Sequence, residues 1–249
     1  MAIDPTQITT DLTLELDEEE ISITDFSKAF DHFFGLVKEV AKHIAPTRNA
    51  SAWLVKVYPG SLGVGVQGKR GIYLDGEIAA IRQACIDGLK EIEDGKRPAH
   101  FSDKAIEHSR MLGSIFNSKK TPVNIRIWSQ RVAYAPVAKT LALKAGEFLD
   151  PVYEDDGSVD GSILRLNAHD EFDFVIFDSL DGRAIKCEVD ERLLAEALGA
   201  WRQRVEVLGK VRYRRDGIPV SVKAREIIRY PSSNEIPTLE EMRSLLSGE

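Results

Sequence analysis

Between Phe26 and Ile44, apolar side chains recur at three- and four-residue spacing: Phe26, Ala29, Phe30, Phe33, Phe34, Val37, Val40, Ala41 and Ile44. That period predicts one long amphipathic helix ending before Pro46, with Ser22 or Thr24 as its cap and Asp25 in its first turn. So wide an apolar stripe needs a second layer to cover it. The flanking sequence supplies one. Leu12, Leu14 and Leu16 alternate with Thr13 and Glu15, which predicts a half-buried strand, broken by the acidic run 17–20. Trp53, Val55 and Val57 alternate, Pro59-Gly60-Ser61 turns, and Leu62, Val64 and Val66 alternate again, which predicts a hairpin.

Two further helices follow. One runs from Asp75 to Asp94 with Ile78, Ile81, Cys85, Leu89 and Ile92 inward and Gly95 as its stop. The next is capped by Ser102 and carries Ala105, Leu112, Ile115 and Phe116. Residues 117–150 are ambiguous in ownership. Val123, Ile125 and Ile127 read as a strand, Val132–Tyr134 as its return, and Pro136–Lys144 as a short helix.

The remainder has a different grammar. Gly161–Asn167, Phe172–Phe177 and Arg183–Val189 read as strands. Asp190 caps a helix with Leu193, Leu194, Ala197, Leu198 and Trp201 on one face. Arg204–Arg214 and Pro219–Tyr230 read as two last strands around Asp216-Gly217. Three strands, a helix and two strands in this order resemble the OB-fold, a small barrel, although other small barrels share it. Pro231–Asn234 is a linker, and Thr238 with Glu241 forms a capping box for a tail helix bearing Met242, Leu245 and Leu246. The expected fold class is α+β. It comprises a mixed α/β domain over 1–150, an OB-like five-stranded β-barrel with one helix over 151–231, and a linker with tail helix over 232–249.

The features around Leu12–Ile44, the glycine-bearing hairpin and the turn Tyr213-Arg214-Arg215-Asp216-Gly217-Ile218-Pro219 loosely resemble a family of bacterial proteins with no assigned activity. That resemblance implies a bacterial source and no functional residue.

Composition excludes several classes. The 249 residues are 43% hydrophobic and 29% charged, with a net charge of −7, the profile of a globular chain that buries its own core. No apolar run reaches the ~18 residues of a membrane helix, and the N-terminus lacks the basic and apolar regions of a secretory signal. Cys85 and Cys187 lie far apart in apolar runs, so both read as buried reduced thiols in a cytoplasmic protein.

The catalytic motifs thin out on inspection. Gly63-Val64-Gly65-Val66-Gln67-Gly68-Lys69 has the glycine spacing of a dinucleotide fingerprint and most of a P-loop. Its glycines fall inside a strand, however. Arg70 stands where a Ser or Thr would hold Mg²⁺, and Ile72-Tyr73-Leu74 separates it from the next helix. A strand against which another element packs closely explains it better. His169 beside Asp170, Glu171 and Asp173 reads as a polar loop entering a half-exposed strand. His32 and His43, three turns apart on one helix, and His100 and His108 read as surface or capping residues. No nucleophile elbow or nuclease motif is present, and no cofactor or metal ligand set is predicted.

The last hairpin carries the strongest functional signal. A two-residue type I′ turn at Asp216-Gly217 would set Arg214 opposite Pro219, Tyr213 opposite Val220 and Lys210 opposite Lys223. Val211, Tyr213, Val220 and Val222 then fill the barrel, while Lys210, Arg212, Arg214, Lys223 and Arg225 share its outer face. Residues 192–230 hold ten basic and four acidic side chains, net +6. Residues 151–191 hold three basic and twelve acidic, net −9. The expected function is a non-enzymatic binding or adaptor module that contacts single-stranded nucleic acid through this face. Two alternatives stand. In one, the acidic strands neutralise the hairpin and the protein assembles with a protein partner, or with itself, through the N-terminal sheet edge and the tail helix. The other is an enzyme.

Overall fold

The computed structural model describes residues 3–17, 20–58, 62–115, 124–134, 140–169, 172–180 and 182–231. The chain is mixed α and β and groups into two compact units, 1–149 and 150–249.

In the first unit a five-stranded sheet has the order β2-β3-β1-β4-β5. Its strands are β1 (Leu12–Leu16), β2 (Trp53–Tyr58), β3 (Leu62–Gly68), β4 (Ile125–Ser129) and β5 (Val132–Tyr134). The Phe-rich stretch is α1 (Ile23–Ile44), capped by Ser22, whose side chain accepts from Asp25 N–H. Helices α2 (Asp75–Glu93) and α3 (Asp103–Ile115) follow, and α4 (Leu141–Leu149) packs on α3. Gly95, at φ 71°, stops α2 as expected. Phe33, Leu36 and Val40 join Leu12, Leu14, Val66, Ile125 and Ile127 in one core. Burying each such large apolar side chain contributes about 1.5–3 kcal/mol.

The described residues between 117 and 149 lie on this side of the division. Antiparallel pairing of β4 with β1 across Leu12–Leu16 carries them into the first sheet. The short helix starts at Leu141, later than expected; residues 135–139 lie outside the described residues.

β1 is not half-buried. All five of its residues are buried, Thr13 and Glu15 included, because it is the central strand and both faces are covered. The helices cover one face. The segment 3–11 crosses the other, where Ile3, Ile8, Tyr58 and Trp128 form a second small cluster. That crossing explains the glycine-rich strand. A Cβ on Gly65 would stand 2.1 Å from Thr10 Oγ1, so a side chain there would displace the segment. Thr10 Oγ1 itself lies 2.7 Å from both Thr13 Oγ1 and Tyr58 OH.

In the second unit five strands close into a barrel, β10-β8-β7-β6-β9. They are β6 (Tyr153–Asn167), β7 (Asp173–Asp178), β8 (Ala184–Glu188), β9 (Arg204–Tyr213) and β10 (Pro219–Arg229), with α5 (Glu191–Gly199) between β8 and β9. Asp190 caps α5, its side chain accepting from Leu193 N–H. β8 and β10 pair in parallel; the other four contacts are antiparallel.

Three expectations need correction here. β6 begins at Tyr153, eight residues before Gly161. Its first half is Glu154-Asp155-Asp156-Gly157, which carries no apolar alternation because it is largely solvent-facing. Asp173 is buried, not half-exposed, and takes Asn167 Nδ2 at 3.2 Å and Lys186 Nζ at 3.4 Å. Only Leu193 and Ala197 of the α5 face are buried; Leu198 and Trp201 are exposed. The tail helix and the turn 59–61 lie outside the described residues.

Candidate functional site

The basic hairpin is built by β9 and β10, and its turn differs from expectation. Gly217 N–H donates to Arg214 C=O at 3.0 Å, and Arg214 N–H donates to Ile218 C=O at 2.9 Å. The loop is therefore three residues, Arg215-Asp216-Gly217, with Gly217 at φ 79°. This is a type I turn closed by a left-handed glycine, the next commonest solution after the two-residue turn. Asp216 stabilises it by accepting from Ile218 N–H. The register consequently slips between Pro219, which pairs with Tyr213, and Ser221, which pairs with Arg212; it is as expected from Arg212–Ser221 through Gly209–Ala224, and slips again before Glu226, which pairs with Leu208.

The slip takes Arg214 off the outer face. It is 4% exposed, with Nε 3.6 Å from Asp216 Oδ1. Arg212, Lys223, Lys210 and Arg225 remain exposed.

Three of those four are ion-paired. β6 lies antiparallel beside β9, setting Glu154 opposite Arg212 and Asp156 opposite Lys210. Glu154 meets Arg212 Nε at 3.3 Å and Lys210 Nζ at 3.4 Å, and Arg212 also reaches Glu188 at 3.7 Å. Arg225 pairs with Asp156. The hydrogen bond from Arg212, then that from Lys210, holds the Glu154 carboxyl below the usual carboxylate range. Exposed pairs of this kind contribute little to stability. Together they set a carboxylate beside each of these three cations. Of the opposed Lys210 and Lys223, Lys210 is paired, with Glu154. The sequence offered such neutralisation as an alternative but not these partners: Glu154 and Asp156 sit in the half of β6 that lacks apolar alternation, and Glu188 ends β8.

Lys223 is the exception, with no ion-pair partner among the described residues. It borders an open groove of about 510 Å³ lined by Phe172, Glu188, Val189, Asp190 and Ala224. Phe172 is 39% exposed there.

A second surface lies in the first unit, at the β2 edge. β2 pairs with β3 along six residues without a bulge. Lys69 N–H donates to Ala52 C=O, so by antiparallel alternation residues 54, 56 and 58 bond to β3. The main-chain groups of Val55 and Val57 point away from the sheet. Leu54, Val55 and Val57 are 55–67% exposed. Lys56, the one charge on the strand, folds back, its Nζ donating to Thr9 Oγ1 at 2.8 Å and lying over the Tyr58 ring. The opposite edge, β5, has three residues.

The histidines of α1 face those of the α3 segment instead of standing singly on the surface. His32 Nδ1 lies 3.1 Å from His108 Nδ1, and the rings of His43 and His100 are 5.5 Å apart. Gly35 gives the His108 ring its space. His169 is exposed, and Asp170 and Glu171 lie outside the described residues. Among the described residues, no three His, Cys, Asp or Glu side chains are placed to share a metal. Both cysteines are free and buried; burial pushes the Cys85 thiol up and the Cys187 thiol up to about 12, which leaves them un-nucleophilic. No helix of the described residues is long and apolar enough to cross a membrane. Comparison with protein-family models and with curated proteins finds no match in either.

Proposed function

We propose that this protein is an assembly module whose first unit self-associates through the β2 edge. The carrying observation is the asymmetry of one sheet. Its β5 edge is three residues long, whereas its β2 edge is long, regular, apolar and carries outward-facing main-chain groups. Proteins normally blunt such an edge by bulge, charge or cover.

A second copy is the occupant that fits. Two-fold antiparallel pairing centred on Val55 sets Val55 against Val55, Trp53 against Val57 and Leu54 against the stem of Lys56, with no like charges opposed. The short β5 edges then end the ten-stranded sheet, so the assembly closes as a dimer instead of growing. Neutralisation of the hairpin cations supports the same reading, since it leaves the barrel as scaffold.

Sedimentation velocity of the full chain from about 1 to 200 µM tests it. The expected species is a dimer that Val55→Pro, which removes one outward N–H and no bond to β3, and Val57→Lys both convert to monomer. A monomer at every concentration, or a dimer that both variants retain, refutes it.

A second reading keeps single-stranded nucleic acid as the ligand, bound on the barrel. The closed strand order with α5 between β8 and β9 resembles the OB-fold, and Phe172 beside Lys223, which has no ion-pair partner among the described residues, offers one stacking ring and one phosphate contact. Anisotropy of labelled single strands at about 50 and 200 mM salt tests it. Salt-sensitive binding lost in Phe172→Ala and Lys223→Glu is expected; no binding at micromolar protein refutes it.

A further inference from the structure

At one end of the first sheet, where β3 finishes, β1 starts and β4 turns into β5, a cavity of about 210 Å³ opens against the flank of α2. It receives Gln67 from β3, Gln130 from the β4–β5 turn, Arg70 from the connection to α2, and Arg82 from the third turn of α2. Its acids, Asp11 and Asp75, are already engaged. Asp11 Oδ2 accepts Gly68 N–H at 3.0 Å, and Asp75 Oδ1 lies 3.7 Å from Arg70 Nε.

Apart from Arg70, the donors are not engaged. Arg82 Nε is buried with no hydrogen-bond partner. Among the described residues neither its guanidinium nor the side-chain amides of Gln67 and Gln130 have a partner. A buried guanidinium N–H without an acceptor is costly, and native structures rarely leave one so. Gln130, at φ 53°, takes the first position of the two-residue β4–β5 turn, and it lines the cavity from there.

We propose that this cavity is a binding site for a small oxyanion of the phosphate class, either free phosphate or the phosphate of a small phosphomonoester. Arg82 supplies the charged fork, which matches a tetrahedral oxyanion in geometry, and the two amides supply neutral donors from the opposite wall. Arg70 closes the rim by leaving Asp75. The volume suits a phosphate with a few attached atoms and excludes a dinucleotide. The glycine-rich stretch that mimics a P-loop thus serves packing through Gly65, while the residues after it help form the site.

Calorimetric titration of the full chain with inorganic phosphate, and separately with glycerol phosphate, tests the assignment. Saturable binding of one or both is expected. Tighter binding of glycerol phosphate marks the ester as ligand, and tighter binding of inorganic phosphate marks the free ion. Arg82→Gln is expected to weaken binding about tenfold or more and Gln130→Ala by a smaller factor, with circular dichroism unchanged. Should Arg82→Gln perturb the fold, Arg82→Lys with Gln130→Ala carries the test. No saturable binding of either compound at about 10 mM, or binding that the folded variants retain in full, overturns the proposal.

Discussion

Removing the carboxylate of Glu15 is the sharpest test of how the first unit is held. Glu15 sits on the central strand, fully buried. It accepts from Ile3 N–H, from Trp128 Nε1 at 2.8 Å and from Arg126 Nη1 at 3.0 Å. In Glu15→Ala the three donors fare differently. Arg126 is partly exposed and keeps Asp17 at 3.3 Å, so it loses little. Trp128 and Ile3 are buried, and each orphaned donor costs about 1–3 kcal/mol. The cavity left by the side chain adds to this, for a total of about 3–5 kcal/mol, within the range for breaking a buried charged pair. With a urea m-value of about 2 kcal/mol/M, the midpoint falls by about 1.5–2.5 M. Glu15→Gln keeps one acceptor and is expected to lose about half as much. Urea unfolding followed by circular dichroism reads both, and hydrogen exchange of the 3–11 segment reports whether it lifts from the sheet. A loss below about 1 kcal/mol in Glu15→Ala, with exchange of residues 3–11 unchanged, refutes the claim that this carboxylate pins the segment.

The histidine contact between α1 and α3 predicts a pH dependence. Burial, the largest cause for both, lowers the His32 and His108 values below the usual imidazole range. Asp31 and Glu107 oppose this at His32, and at His108 the neighbouring His32 adds to it. The unfolded chain therefore takes up protons near pH 6.5 before the native state does. Stability is full above that pH and falls as pH drops below it, with a slope of at most about 1.4 kcal/mol per pH unit per histidine. Thermal melts from pH 7.5 to 5 check this, and the slope is expected to shrink in His108→Gln. In the barrel, a Cβ on Gly209 would lie 2.1 Å from Lys223 C=O, a backbone atom that cannot step aside. Gly209→Ala is expected to destabilise the second unit by about 1–3 kcal/mol in the same urea assay.

Much of the architecture was legible because it is written in periodicity. The spacing of Phe26–Ile44, the capping residues Ser22, Ser102 and Asp190, and the strand–helix–strand order after Gly161 are local signals, and local geometry follows from them. What stayed illegible depends on neighbours distant in sequence. Glu15 reads as a solvent-facing strand residue until the segment 3–11 covers it. Tyr153–Asp160 shows no apolar alternation, so the strand reads as starting at Gly161 until β9 pairs with the whole of it. Arg214 reads as an outward cation until the loop takes three residues instead of two. His32 and His108 read as separate surface residues until α1 and α3 cross at Gly35.

The candidate sites divide in the same way. Charge polarity was visible as counts, net −9 over residues 151–191 and net +6 over residues 192–230. Which carboxylates meet which cations was decided by the β6–β9 register, which sets carboxylates against guanidinium and ammonium groups at contact distance. The donors of the α2 cavity come from three separate stretches of chain and share no motif. Sequence determines which faces are apolar, because that follows from the chemistry of consecutive side chains. Only the tertiary structure decides which charges and donors remain unsatisfied, because satisfaction is a property of pairs, and the pairs are made by strands and helices that meet only in the fold.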